Sequence, residues 1–186
     1  MKDKVISIVK TGAILLAIGF VCTLLLSVCN FVTKDRIAAL SAKAEQDAMI
    51  ETLPQANNFV KLNYSDSGIV TAIYEGKAKD KSVVGHCVKV EPVGYGGAIS
   101  MVVGVDKDGV VRGVKIISMS ETPGLGARAN DTSFTGNYIG KTAEIKVKKS
   151  GVPGDNEIAA ISGATVTSKA VTEGVNAAIA ATESMR

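Results

Sequence analysis

The stretch AISMVVGVDKDGVVRGVKII, residues 98–117, decides the fold. Two apolar runs, Ala98 to Val105 and Val110 to Ile117, flank the polar turn Asp106-Lys107-Asp108-Gly109. Valine and isoleucine favour extended backbone, and a turn closed by glycine joins the runs as a hairpin. Working outward, Val83 to Val90, Ile69 to Tyr74 and Phe59 to Tyr64 read as further strands, the last two linked by a turn at Ser65-Asp66-Ser67-Gly68. Glu144 to Val147 is one more candidate. Val171, Val175, Ala178, Ile179 and Thr182 recur at helical spacing and mark an amphipathic C-terminal helix. Ile37 to Leu53 is rich in helix formers and predicts a helix ended by Pro54. The expectation is an α+β fold, a mixed or antiparallel sheet with flanking helices.

The first forty residues are of another kind. The chain has 186 residues, enough for one ordinary domain and a short extra element, and its 46% hydrophobic content is concentrated at the start. No charged side chain occurs between Thr11 and Thr33. As a helix that segment extends roughly 34 Å, enough to cross the hydrocarbon core of a bilayer. It is too long for a cleaved signal peptide, and Lys34, Asp35 and Arg36 close it as a stop signal. The expected organisation is therefore a tail and transmembrane anchor over residues 1–36 and a domain over residues 37–186. Lys2, Lys4 and Lys10 precede the span while Lys34, Arg36 and Lys43 follow it, so the charge rule gives nearly a tie. The short N-terminal tail favours an inside N-terminus and an extracytoplasmic domain.

Several function classes are excluded. Net charge is +3, with both signs interspersed, and there is no basic stripe or aromatic platform for nucleic acid. Cys22 and Cys29 fall on one face of the span, Cys87 is distant, and His86 is the lone histidine. A zinc, haem or iron–sulfur site built from this chain alone is not expected, nor is any other metal site. Cys22 and Cys29 read as small packing residues, or as part of a site shared with another subunit. Residues 136–142 imitate a phosphate-binding loop, but too few residues separate the glycines. No GxSxG accompanies His86, and the loop after Asp106 lacks calcium-ligand spacing. No acid–base or nucleophilic catalytic residue is expected.

The chemistry concentrates in Ser162-Gly163-Ala164-Thr165-Val166-Thr167-Ser168, at the start of the C-terminal helix. Hydroxyl residues there are N-cap candidates, and the first turn leaves backbone N–H groups free under the positive end of the helix dipole. A phosphate on Thr165 would sit where its charge is favoured, and Gly163 and Ala164 allow close approach. An ordinary cap is the plainer reading of these residues alone. Glu121-Thr122-Pro123-Gly124-Leu125-Gly126 adds to it: Pro-Gly suits a type II turn, and the loop offers amides to a flat heterocycle while Leu125 packs on its face. Gly94-Tyr95-Gly96-Gly97 is a further place where backbone can approach a ligand.

The single span, GYGGAI (94–99), DKDGVV (106–111), ETPGLG (121–126) and SGATVTS (162–168) occur in the order found in the G subunit of the Rnf electron-transport complex, which the whole chain resembles. The resemblance extends more distantly to the C subunit of the sodium-pumping NADH:quinone reductase. It implies covalent FMN on Thr165 through a phosphoester, with Ser162, Gly163, Ala164, Glu121, Thr122, Gly124, Leu125, Gly126 and Tyr95 as cofactor-binding residues. Attachment in the family is performed by a separate Mg²⁺-dependent flavin transferase that uses FAD and releases AMP. Thr167 and Ser168 are the rival acceptors. The family commonly has aspartate three positions before the serine of SGAT; here that position is Ala159, with Asp155 and Glu157 close by. The implied role is an electron carrier within a ferredoxin:NAD oxidoreductase that pumps sodium or protons, with other membrane subunits as partners. The isolated chain is then a carrier within the enzyme complex. An anchored FMN module, or a carrier for an extracytoplasmic reductase outside any pump, is the alternative.

Overall fold

Helix α1 (Lys2–Thr52) leads into a meander of five strands, β1 (Asn58–Leu62), β2 (Val70–Lys77), β3 (Val83–Val90), β4 (Ser100–Asp106) and β5 (Val111–Ser118). The computed structural model describes residues 2–64, 68–142 and 144–185, so Ser65, Asp66 and Ser67 of the expected turn lie outside the described residues. The chain divides into two units, Met1–Lys43 and Ala44–Arg186. The described residues of the first, from Lys2 on, are helix. Its apolar side chains, such as Leu16, Leu26 and Phe31, are exposed, and by length and composition this helix can cross a membrane.

In the second unit every neighbouring pair of the five strands is antiparallel, in the order β1-β2-β3-β4-β5. Val103 lies opposite Val114 and Gly104 opposite Gly113, the register that a hairpin at residues 106–109 requires. Asp106 builds that turn itself: its Oδ1 accepts the N–H groups of Asp108 and Val110 at 2.8 and 2.9 Å, and Oδ2 accepts from Arg112 Nε at 2.7 Å. Beyond the sheet come a 3₁₀ turn (Gly126–Asn130), α2 (Thr132–Thr135), a second 3₁₀ turn (Gly136–Tyr138), a parallel pair β6 (Lys146–Lys148) and β7 (Glu157–Ala159), and α3 (Thr165–Glu183). β7 and the short helical pieces escape sequence periodicity, being three to five residues long.

Both sheet faces are covered, which is why β4 is buried almost throughout. Side chains alternate across a strand. Met101, Val103 and Val105 join Ile73, Val88 and Val90 in a core closed by Val171, Val175 and Ile179 of α3. Val102 and Cys87 point the other way, against Ala48, Met49 and Leu53 at the end of α1. That second face is seated on glycine. A Cβ at Gly104 would lie 2.4 Å from Thr52 O, one at Gly113 2.7 Å from Thr52 Cα, and one at Gly76 2.6 Å from Leu53 Cδ2. Glu45 ties the same segment to the sheet by accepting from Tyr74 Oη at 2.5 Å and Lys89 Nζ at 2.8 Å. Burial pushes the Cys87 thiol up to about 12, so it stays protonated. Residues 136–142 run along the sheet edge, where Gly140 N donates to Val111 O and Val111 N to Lys141 O.

Candidate functional site

Three loops far apart in sequence meet at the start of α3. The first turns back on itself at residues 93–98, with Val93 bridged to Ala98 and Gly94 N donating to Gly97 O at 2.8 Å, and it leaves Tyr95 76% exposed. In the second, Leu125 N donates to Thr122 O at 3.2 Å and Gly124 has φ 77°, the left-handed position of the expected type II turn. The third is Ile161-Ser162-Gly163-Ala164, where Ala164 N donates to Ile161 O at 2.9 Å and Gly163 has φ 76°. The second and third loops touch: a Cβ on Gly163 would stand 3.0 Å from Leu125 Cδ2.

Glu121 fastens the arrangement from beneath. Its carboxylate is buried; Oε1 accepts from Tyr95 N at 2.8 Å and Gly96 N at 3.2 Å, and Oε2 accepts from the Thr167 hydroxyl at 2.9 Å. A buried carboxylate needs such donors in place of water. Gly94 and Gly126 make room, since a Cβ on either would fall 2.2 and 2.4 Å from the two carboxylate oxygens. Between the loops lies a cavity of about 520 Å³ lined by Tyr95, Glu121, Thr122, Leu125, Gly126, Gly163, Ala164, Thr165, Val166 and Thr167. That volume is in the range of cofactor pockets.

The hydroxyls at the helix start have sorted themselves. Thr167 donates to Glu121 and Ser168 donates to Ala164 O at 2.9 Å while accepting from Ile161 N at 3.0 Å; both are buried. Thr165 is half-buried and lines the cavity, and its hydroxyl makes no hydrogen bond among the described residues. The expectation that a hydroxyl caps α3 is corrected: the N-cap is Ala164, with φ −134° and ψ 45°, and no side chain caps the helix. Thr167 and Ser168 are engaged elsewhere, so the N–H groups of Thr165, Val166 and Thr167 have no partner among the described residues. Among the described residues no lysine or arginine lines the cavity, and those amides and the helix dipole are positive elements there.

Two further expectations change. The amides of Leu125 and Ala127 are bound to Thr122 O, so the 121–126 loop offers fewer free N–H groups to a ligand than its sequence suggested. Of the anticipated residues, Ser162 and Gly124 are exposed and do not line the cavity, while Thr167, expected only as a rival acceptor, and Val166, not anticipated, do. Val166 carried a signal, an apolar side chain beside Thr165 that α3 leaves 53% exposed. Ala159 ends β7, exposed, and pairs with Lys148. The nearby Glu157 carboxylate accepts from Lys148 Nζ and Gly154 N, both at 2.9 Å. No group of histidine, cysteine and acidic residues suited to a metal ion occurs among the described residues.

The residues of this cavity fit an FMN: an uncapped helix start suits a phosphate, and Leu125, Val166 and Tyr95 offer apolar surface to a flat ring. The comparisons with known proteins agree. Residues 94–180 match the model of the FMN-binding domain, and residues 1–51 match that of the RnfG N-terminal region. The chain is 37% identical, over 91% of its length and 89% of the relative's, to the G subunit of the Na(+)-translocating ferredoxin:NAD(+) oxidoreductase complex of Acetobacterium woodii. It is 32% identical, over 86% and 83% of the two lengths, to the G subunit of the proton-translocating ferredoxin:NAD(+) oxidoreductase complex of Clostridium ljungdahlii. Its fold is similar to that of the C subunit of the Na(+)-translocating NADH-quinone reductase from Parabacteroides distasonis, with TM-score 0.58 and 18% identity over 76% of this chain and 92% of that one.

Proposed function

The chain belongs to the family of G subunits of ion-translocating oxidoreductase complexes of the Rnf type, and from that membership we propose that it carries FMN covalently on Thr165 and relays electrons within such a complex. The observation that carries the site is the sorting of hydroxyls. Among Thr165, Thr167 and Ser168, Thr165 alone is both accessible and unengaged. A threonine hydroxyl is a weak nucleophile, and the carboxylate in the cavity lining, Glu121, has both oxygens engaged by Tyr95 N, Gly96 N and Thr167, so a separate flavin transferase supplies activation. In that step the Thr165 Oγ–P bond forms as the bond from the same phosphorus to AMP breaks; AMP leaves with the electron pair and the hydroxyl proton passes to the transferase. FAD is the donor and Mg²⁺ the transferase's metal.

Once bound, FMN accepts electrons in pairs and passes them singly, linking one-electron to two-electron carriers. This chain's residues hold it. The first-turn amides of α3 would hold the phosphate, Leu125 and Val166 would offer apolar surface to the ring, and Tyr95, exposed, lines the same cavity. The domain is proposed to face the extracytoplasmic side, anchored by the residue 11–33 span and partnered there by other subunits of a ferredoxin:NAD oxidoreductase.

The test is intact mass and peptide mapping of the full chain co-expressed with a flavin transferase. An FMN-sized increment is expected on the Thr165 peptide and lost in Thr165→Val. An increment that persists in that variant, on Thr167 or Ser168, overturns the assignment.

A further inference from the structure

Glu121 is anticipated from sequence as a flavin contact, yet both its oxygens are turned to the protein. The carboxylate joins the turn bearing Tyr95 to the first turn of α3, through Tyr95 N, Gly96 N and Thr167 Oγ. Thr167 lies two residues beyond Thr165 in the same turn, so fixing its side chain fixes the rotation of that turn about the helix axis. Ser168 Oγ ties the same turn only to the adjoining 161–164 loop, accepting from Ile161 N and donating to Ala164 O, whereas Glu121 joins it to a loop distant in sequence.

From this geometry we infer that Glu121 is a positioning residue for cofactor attachment: by holding the Thr167 hydroxyl it aims Thr165 into the cavity and withdraws Thr167 from competition. The inference rests on Thr165 as the site of attachment. The hydroxyl proton of Thr167 lies on the hydrogen bond to Oε2, and that oxygen is closely walled by Gly126. Thr167 Oγ is thus turned away from an incoming phosphorus, whereas Thr165 Oγ is free to form the new O–P bond as AMP departs. Removing the Thr167 hydroxyl leaves a buried carboxylate oxygen without its donor, a loss felt at the contact itself.

The experiment measures the rate of FMN incorporation, by intact mass and peptide mapping, on full-length chains supplied with flavin transferase, FAD and Mg²⁺. The chains are wild type, Glu121→Gln, Thr167→Val and Thr167→Ser. Valine matches threonine in shape and lacks the hydroxyl, while serine keeps the hydroxyl and lacks the methyl. Incorporation at Thr165 is expected to slow about tenfold in Thr167→Val and Glu121→Gln, and to stay within about twofold of wild type in Thr167→Ser, a tenfold change corresponding to the loss of one buried hydrogen bond. Equal rates in all four chains overturn the inference, as does equal slowing of the serine and valine variants, which assigns the effect to packing. If Glu121→Gln does not fold, as judged by circular dichroism, the Thr167 pair decides alone. Wild-type chain without FMN on Thr165 overturns the functional reading and this inference together; wild-type labelling with unchanged variants overturns this inference only.

Discussion

At Gly163 the main chain adopts φ 76°, with Leu125 Cδ2 standing 3.0 Å from where a Cβ would be. A side chain there carries the left-handed penalty of roughly 1–2 kcal/mol. Gly163→Ala is therefore expected to lower stability by about that amount in urea titration and to reduce flavin incorporation at the adjacent Thr165. Asp106 gives a pH prediction. Burial alone would raise its pKa, but the N–H of Val110, the Arg112 guanidinium and the N–H of Asp108 outweigh it and hold the carboxyl below its ordinary value. A depressed folded-state pKa contributes stability that is complete above the unfolded value, about 3.9, and is lost as pH falls through the folded one. Acid unfolding followed by circular dichroism should accordingly flatten below about pH 4 in Asp106→Asn, with lower stability at neutral pH. The residue scale also divides what a sequence discloses. Thr165 stands out through its neighbours and the resemblance they carry. The burial of Thr167 was invisible, because its partner Glu121 lies in another loop and only tertiary packing joins them.

Among the elements, the meander was readable because its strands are long, β-branched and separated by polar turns, and β3 came out with both its ends as expected. β1 instead stops at Leu62, and Tyr64 packs against the core from beyond the strand. The start of α3 was misread for a physical reason: serine and threonine usually cap, but Ser168 returns its hydroxyl to the Ala164 carbonyl and Thr167 turns to Glu121. The meeting of β4 and β5 with the end of α1 depends on bare glycine. Gly104→Ala forces a Cβ against the Thr52 carbonyl, a backbone atom that cannot rotate aside. Overpacking of this kind is expected to cost about 1–3 kcal/mol, measurable as a lowered thermal midpoint.

For the whole molecule, the boundary of the second unit at Ala44 matters more than the end of the membrane span. Ala48, Met49 and Leu53 are buried against the sheet, so the last turns of α1 belong to the core of the second unit. A chain beginning at Ala44 is expected to unfold cooperatively. One beginning at Gln55 uncovers that face and loses about 1.5–3 kcal/mol for each large side chain removed. Thermal unfolding of the two chains checks this; equal midpoints would refute it. A helix running from the anchor into the domain was expected from composition, but its seat on Gly76, Gly104 and Gly113 was not legible, because glycine in a strand looks in sequence like a weak point.

The first turn of α3 is continuous with a nineteen-residue rod whose inner side is sunk in the core from Ala170 to Ala181. Anything moored to the Thr165 oxygen inherits that stiffness. Its reach is limited to rotation about the few single bonds of its own tether, and the main chain adds almost no wander. A redox group so moored would meet its partners at one repeatable spot, with little reorganisation of protein between the loading and the unloading of an electron.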